Sequence, residues 1–152
     1  MSDLGDLYQE LILDHQRRPR NFKVLEPHDR SVRGHNPLCG DELLLFLKLD
    51  GGVVTDVGFQ GTGCAISKAS ASMMTERIKG RTIEEVNDVF GRFHHMLTIG
   101  DASEEDQEVL GKLAVFGGVR EFPARVKCAT LSWQTLMTAL AGDQTVVSTE
   151  QT

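Results

Sequence analysis

Residues 42–60 constrain the fold of this chain most strongly, because two alternating apolar segments flank a pair of glycines. Every second residue of 42–49 is leucine, and 53–60 continues with mainly apolar side chains at alternate positions. Such runs on either side of the Asp-Gly-Gly turn at 50–52 are typical of a β-hairpin. The opposite face of the first segment is also apolar, so we expect helices to cover one face of the sheet. A short strand before Asn36 would add a third member.

Helical spacing and helix-boundary signals fill most of the remaining chain. Pro19 ends a first helix, Gly80 caps a second, and Thr82 with Glu85 forms a capping box that begins a third. The predicted helices cover residues 3–17, 64–79, from 82 onward, from 103 to about 118, and 123–141. We therefore predict an α+β fold, in which a small antiparallel three-stranded sheet is packed on one face by several helices.

Length and composition indicate one globular domain. The chain has 152 residues, of which 40% are hydrophobic and 25% are charged. We expect a single domain over residues 1–142, a helical insertion at about 82–118, and a polar C-terminal tail at 143–152. The acidic N-terminus has no secretory signal pattern and no apolar run is long enough to span a membrane, so we expect a cytoplasmic protein without membrane contacts. The net charge of −6 argues against nucleic acid as a partner.

The three cysteines of the chain are an odd number, which argues against a disulfide framework in a reducing compartment. Cys39 and Asp41 can face one ion, because residues i and i+2 of an extended segment point to the same side. Gly40 between them allows a close backbone approach. Cys64 is at a predicted helix start, where a thiolate is favoured. Cys128 is near the start of the last helix, so we expect all three cysteines to lie where a thiolate is stabilised and not in mid-core.

Three cysteines and one aspartate form a set of ligands that zinc accepts in tetrahedral sites. Two cations next to the third cysteine, Arg125 and Lys127, could offset part of the negative charge of such a site. The cysteine spacings match no CxxC zinc knuckle. From the residues alone, metal or thiol chemistry and buried structural cysteines therefore remain open alternatives.

Three separate motifs together resemble one protein family. They are Gly-His-Asn-Pro-Leu-Cys-Gly-Asp at 34–41, Gly-Thr-Gly-Cys-Ala-Ile-Ser at 61–67, and Arg-Val-Lys-Cys-Ala-Thr-Leu-Ser-Trp at 125–133. In this order they resemble the iron–sulfur cluster assembly proteins of the IscU/SufU superfamily. The segment 8–21 looks like the N-terminus of that family, and the resemblance extends to about residue 142.

Two departures from the scaffold-type members of the family indicate its SufU-type branch. Lys127 stands where scaffold-type members have a histidine, and the connection between Cys64 and Cys128 is longer than theirs. The resemblance implies a zinc-dependent sulfurtransferase that accepts persulfide sulfur from a SufS-type cysteine desulfurase, with a SufBCD-type scaffold downstream. It also implies that Cys39 carries the sulfur-accepting thiol. The four zinc ligands that it implies are Cys39, Asp41, Cys64 and Cys128.

A physical hypothesis follows from this resemblance for the order of events. We expect Cys39 to be released from zinc when the desulfurase docks, because it lies in a glycine-flanked loop and the other two cysteines lie on predicted helices. Two other functions remain open. In the first, an assembly scaffold, the same four ligands could hold iron or a nascent [2Fe–2S] cluster, although Lys127 argues against this function. In the second, the chain is a non-catalytic adaptor whose fold is stabilised by zinc.

The remaining candidates for chemistry are mainly histidines. Adjacent residues of a helix diverge by about 100°, so His94 and His95 do not suit one ion, and we interpret them as surface or partner-facing residues. His15 is interpreted as a helix packing residue. His35 is near the proposed ligands in sequence, and two alternatives stay open for it: a side chain that contacts the metal ligands or one that points away from them. Three large apolar side chains are predicted to be core rather than part of a cofactor site: Met73, Met74 and Trp133.

Overall fold

A computed structural model describes residues 3–37, 40–100, 102–142 and 147–148, with side chains from Tyr8 onward. Its single sheet has the strand order β3-β2-β1-β4. The strands are β1 (Arg30–Asn36), β2 (Asp41–Asp50), β3 (Val53–Thr62) and β4 (Val147–Ser148).

The central hairpin is formed by β2 and β3, which pair antiparallel across the turn at 50–52, where Gly51 and Gly52 both have positive φ. The α+β fold and this hairpin are confirmed. The predicted number of strands is wrong, since β4 pairs in parallel with β1 and makes the sheet four-stranded. A two-residue strand has no hydrophobic periodicity to reveal it, and it falls within the predicted polar tail.

The helical elements follow the predicted start signals closely. They are α1 (Asp3–Arg17), α2 (Ala65–Ile78), α3 (Ile83–Thr98), α4 (Glu104–Leu110), a 3₁₀ segment (Gly111–Glu121) and α5 (Pro123–Leu140). Thr82 and Ser103 begin α3 and α4 through complete capping boxes. The predicted single helix from 103 to about 118 is wrong, because the α-helix ends at Leu110. Gly111 there adopts a φ of 56°, and the chain continues as a 3₁₀ helix.

The core lies between the inner face of the sheet and the helices. The inward leucines of β2 are buried, and Trp133 of α5 stacks on Phe93 of α3 with ring centroids 4.9 Å apart. Met73 and Met74 are buried as predicted. His15 fixes α1 against α2, since its Nδ1 lies 2.6 Å from Ser72 Oγ, which confirms its packing role.

Two close contacts place α5 directly over the inner face of β1. Gly34 in β1 lies so near α5 that a Cβ there would overlap the Thr135 hydroxyl. At the other end of β1, Arg30 donates to the carbonyl oxygens of Ala139 and Leu140, at 2.6 and 3.2 Å. Both ends of the strand are therefore fixed relative to α5, the helix that carries Cys128.

None of the helices in the described part of the chain combines the length and the apolar character that crossing a bilayer requires.

Candidate metal centre

The start of β2 supplies the first side chain of the site, Asp41. Asn36 and Asp41 are cross-strand partners at the end of this hairpin, and the Gly40 N–H donates to the Asn36 carbonyl oxygen at 2.8 Å. Gly40 has a φ of 71°, a left-handed conformation that glycine adopts without strain. Asp41 is completely buried and points to the helix side of the sheet. Cys39, the predicted sulfur acceptor, lies outside the described residues.

The second side chain, Cys64, is the N-cap of α2. Its Sγ accepts a hydrogen bond from the Ser67 N–H at 3.3 Å, which satisfies one of the unpaired donors of the first helical turn. Its own N–H donates to Asp41 Oδ1 at 2.8 Å. Gly63 permits this approach, because a Cβ at position 63 would overlap the Asp41 carboxylate.

The third side chain, Cys128, lies in the second turn of α5 and is only 3% exposed. The expectation that all three cysteines lie outside mid-core is wrong for Cys128, whose thiol is buried. It is buried against the other two groups, not among apolar side chains alone. The ligand atoms of Asp41, Cys64 and Cys128 all lie within 4.8 Å of one another. A strand, a loop-to-helix junction and a helix therefore converge on one point.

Asn36 is a fourth polar side chain at this point, and we did not single it out from the sequence. It is fully buried, and its Nδ2 lies 3.4 Å from Asp41 Oδ2 and 3.5 Å from Cys128 Sγ. The signal was present in the hairpin pattern, because strand alternation puts Asn36 on the same face as Val32 and Gly34. That face points toward the helices.

The electrostatics of the site favour a thiolate at Cys64. A hydrogen bond from the Cys128 thiol is the largest cause that lowers the pKa of Cys64, to about 6, and the N–H groups of Ser67 and Ile66 act in the same direction. Burial and the negative charge of Asp41 oppose this shift. The net result is a thiol that is mainly ionised at neutral pH, which is the form that binds metals and attacks sulfur.

Arg125 and Tyr8 lie at the edge of the site. Arg125 is exposed in the first turn of α5, three residues before Cys128 and therefore on the same helix face, and its guanidinium lies 4.7 Å from the ring centre of Phe122. Burial raises the pKa of Tyr8, Arg125 lowers it and Cys64 raises it further. Tyr8 thus lies within electrostatic range of both residues, and we did not anticipate its position from the sequence.

Lys127 is half-buried and directly precedes Cys128 in α5. Neighbouring residues of a helix point about 100° apart, so Lys127 and Cys128 leave the helix in different directions. Of the two predicted charge-supporting residues, Arg125 is therefore the better placed on the helix surface.

The histidines are separate from this centre. His35 is next to Asn36 in β1 and points to the opposite face of the sheet, where its cross-strand partner is Glu42. His94 is exposed and His95 is half-buried in α3. His94 has a ring contact with Phe90 at 5.7 Å. Among the residues that the structure describes, the group suited to a metal consists of one carboxylate and two thiols.

These three donors fit a zinc ion. Zinc binds thiolate and carboxylate ligands at distances that put neighbouring ligand atoms roughly 3.3 to 3.8 Å apart in a tetrahedral site. Asp41 Oδ2 and Cys64 Sγ are 4.0 Å apart, so a contraction of well under an ångström would bring them to such a distance. Three donors leave one tetrahedral position for a further ligand.

Comparison with known proteins identifies the family. Residues 7–129 match the model of the NifU-like N terminal domain. The zinc-dependent sulfurtransferase SufU of Bacillus subtilis is 44% identical over 144 residues, covering 94% of this chain and 95% of the relative. The iron–sulfur cluster assembly scaffold protein IscU of Streptococcus pyogenes is 36% identical over 92% of this chain and 86% of the relative.

Solved structures agree with the sequence comparison. A candidate iron–sulfur cluster assembly scaffold protein for the SUF system, from Fervidobacterium islandicum, superposes with a TM-score of 0.81 at 38% identity, over 90% of this chain and 98% of the other. The N-terminal part of a NifU-like protein from Brucella abortus gives 0.80 at 27% identity, over 92% and 96% of the two chains. Family match, relatives and fold agree, and the chain belongs to the NifU-like N-terminal domain family, the IscU/SufU superfamily that its three motifs resemble.

Proposed function

We propose that this protein is a zinc-bound sulfur acceptor in iron–sulfur cluster biogenesis, which takes persulfide sulfur from a SufS-type cysteine desulfurase onto Cys39 and passes it on. The convergence of the Asp41, Cys64 and Cys128 ligand atoms within 4.8 Å of one another carries this proposal. The likeness to a relative named as a zinc-dependent sulfurtransferase, over nearly the full length of both chains, supports it further.

Asp41, Cys64 and Cys128 are the proposed zinc ligands, and Cys39 is the fourth by chain connectivity. One residue, Gly40, separates Cys39 from Asp41, so the two Cα atoms are at most about 7 Å apart in any conformation. The pairing of Asn36 with Asp41 joins the two strand ends between which Cys39 lies along the chain. A bound zinc ion would lower the pKa of the thiols it contacts and offset the negative charge of the cluster.

The proposed transfer is a thiol–disulfide type of exchange at sulfur. The Cys39 thiolate attacks the outer sulfur of the persulfide on the desulfurase cysteine. The sulfur–sulfur bond of the donor breaks, and the donor cysteine leaves as a thiolate. The outer sulfur, with its proton, stays on Cys39 as a new persulfide. No external oxidant or reductant is needed, because one sulfur–sulfur bond is exchanged for another.

Arg125 and Lys127 are proposed to support the charge of this step without touching the transferred sulfur. The site gathers up to four anionic ligand groups, and cations on the same helix reduce the repulsion that an incoming persulfide meets. Arg125 is the main candidate because it shares a helix face with Cys128. Replacing it with glutamine should slow transfer and leave the zinc content unchanged.

A direct test combines metal analysis with a turnover assay. Protein purified without added metal should contain one zinc per chain and should accelerate sulfide release by a SufS-type desulfurase. The acceleration should be lost after zinc is removed by a chelator and should return when zinc is restored. Metal-free protein that accelerates the desulfurase as well as zinc-loaded protein would contradict the proposal.

A second candidate function is a scaffold on which a [2Fe–2S] cluster is assembled and transferred. The likeness to the S. pyogenes relative, which is named as such a scaffold, favours it. The same three ligands would serve it, with iron in place of zinc. A brown protein with visible charge-transfer absorption after aerobic purification would support the scaffold, whereas a colourless protein with one zinc would support the sulfur acceptor.

A further inference from the structure

Asn36 is a completely buried amide that lies between two of the three converging ligand groups. Its Nδ2 is 3.5 Å from Cys128 Sγ, an ordinary separation for an N–H donor and a sulfur acceptor, and 3.4 Å from Asp41 Oδ2, which is longer than a strong N–H···O bond. A carboxylate and a thiolate are both acceptors, so the amide nitrogen must face them and not the amide oxygen.

The backbone of Asn36 is fixed at three points. It is the last residue of β1, it pairs with Asp41, and its carbonyl oxygen accepts the Gly40 N–H at 2.8 Å. Two residues earlier, Gly34 brings β1 into close contact with Thr135 of α5. The side chain of Asn36 therefore extends from a rigid strand end toward a helix held against that same strand.

Different N–H donors around the site contact different acceptor atoms of the three ligand groups. At the start of α2, the Cys64 N–H donates to Asp41 Oδ1 and the Ser67 N–H donates to Cys64 Sγ. The Asn36 amide nitrogen faces the other carboxylate oxygen, Asp41 Oδ2, and Cys128 Sγ. The atoms that Asn36 contacts thus come from a strand and from a helix that are far apart in sequence.

We propose that Asn36 is a positioning residue for the metal, which holds Asp41 Oδ2 and Cys128 Sγ in register for one zinc ion and withdraws charge from both. This inference rests on the proposed function. Hydrogen-bond partners behind metal ligands orient them and tune their donor strength, and their removal typically lowers metal affinity about 10- to 100-fold.

The test measures zinc affinity and ligand geometry in N36A and N36S. N36A removes the amide, and N36S keeps a polar group too short to reach either ligand atom. The matched control is T75V, because Thr75 of α2 is as fully buried as Asn36 and its hydroxyl bonds the Ser72 carbonyl, not a proposed ligand. Competition with a chromophoric chelator gives the affinity, and absorption of the cobalt-substituted protein reports the geometry and donor strength of the ligands.

We expect both Asn36 variants to bind zinc about 10- to 100-fold more weakly and to shift the cobalt–thiolate absorption bands, while T75V keeps both at wild-type values despite a lower melting temperature. Wild-type affinity and an unshifted cobalt spectrum in either folded Asn36 variant would overturn the inference and leave the proposed function standing. A wild-type chain that binds neither zinc nor cobalt would overturn both.

Discussion

The backbone N–H of Cys64 and the carboxylate of Asp41 are joined by a 2.8 Å hydrogen bond, which ties the start of α2 to the start of β2. Two proposed metal ligands from different elements are thereby held together by the protein alone. The bond also directs one carboxylate oxygen at the backbone and leaves the other, Oδ2, for the metal and for Asn36. The stability of the site therefore depends on how closely residues 63 and 64 can approach Asp41.

Gly63→Ala should damage the site without changing any ligand. A Cβ at position 63 would overlap the Asp41 carboxylate, so that carboxylate must move and its bond to the Cys64 N–H must lengthen or break. We expect zinc affinity to fall at least about tenfold, a change of the size seen when partners of metal ligands are disturbed. Chelator competition on the purified variant provides the measurement.

Gly91→Ala is the matched control for this substitution. Gly91 is an exposed residue of α3, and a Cβ there would meet nothing within 4 Å. The substitution should stabilise the fold by about 1 kcal/mol, because alanine has a higher helix propensity than glycine. It should leave zinc binding unchanged. Unaltered zinc affinity in Gly63→Ala would show that the close approach to Asp41 is not required.

The metal-free protein should become more stable with rising pH through Cys64. Its pKa is lowered in the folded state from an ordinary 9.0 to about 6, so folding favours the thiolate. That contribution is fully present above the unfolded pKa of 9.0 and is lost as the pH falls to about 6. The free energy of unfolding of wild type, relative to Cys64→Ser, should therefore rise across this interval.

Urea unfolding with a reductant and a chelator, at a series of pH values, measures this difference. Serine does not ionise in the same range, so the variant removes the titrating group and keeps a side chain that can cap α2. A difference between the two proteins that stays constant over the whole interval would contradict the lowered pKa of Cys64.

Some features of the centre follow from the sequence and others depend on contacts between distant segments. The hairpin and the capping role of Cys64 are local: alternation and the glycines around residue 51 indicate the first, and a helix start after Gly63 indicates the second. The burial of Cys128 is not local, because it depends on how α5 lies on β1. The short parallel strand at 147–148 is too brief for any pattern to reveal.

The partners within the site show the same distinction. Ligand chemistry and the resemblance to a family group Asp41 with Cys64 in advance, although the cysteine spacings match no CxxC zinc knuckle. Asn36 requires the register of the β1–β2 hairpin, which pairs it with Asp41. Tyr8 requires the packing of α1, and its position near Arg125 has no counterpart in local periodicity.

Zinc removal should lower the thermal stability of the protein. A ligand present at 100 times its dissociation constant stabilises the native state by about 2.7 kcal/mol. For a domain of this size, that corresponds to a fall in melting temperature of about 5–10 °C when a chelator is added. Differential scanning calorimetry with and without the chelator measures the shift.

A distant variant shows whether this effect is specific to the site. Thr82→Ala breaks the capping box of α3, in which Thr82 Oγ1 accepts the Glu85 N–H at 3.1 Å, and should cost about 1 kcal/mol. Its melting temperature should be lower than that of wild type, but the shift on zinc removal should be the same. Equal melting temperatures of wild type with and without the chelator would mean that zinc does not stabilise the native fold.

Sulfur loading of Cys39 tests the central claim most directly. The protein would be incubated with a SufS-type desulfurase and cysteine, the persulfides trapped by alkylation, and each cysteine-containing peptide analysed by mass spectrometry. Turnover of the desulfurase would be followed in the same samples, with wild type, Cys39→Ala and Thr82→Ala compared. The account predicts one added sulfur on Cys39 in wild type and in Thr82→Ala, and neither sulfur loading nor accelerated turnover in Cys39→Ala. Added sulfur on Cys64 or Cys128 in place of Cys39, or a Cys39→Ala variant that accelerates turnover as wild type does, would contradict it.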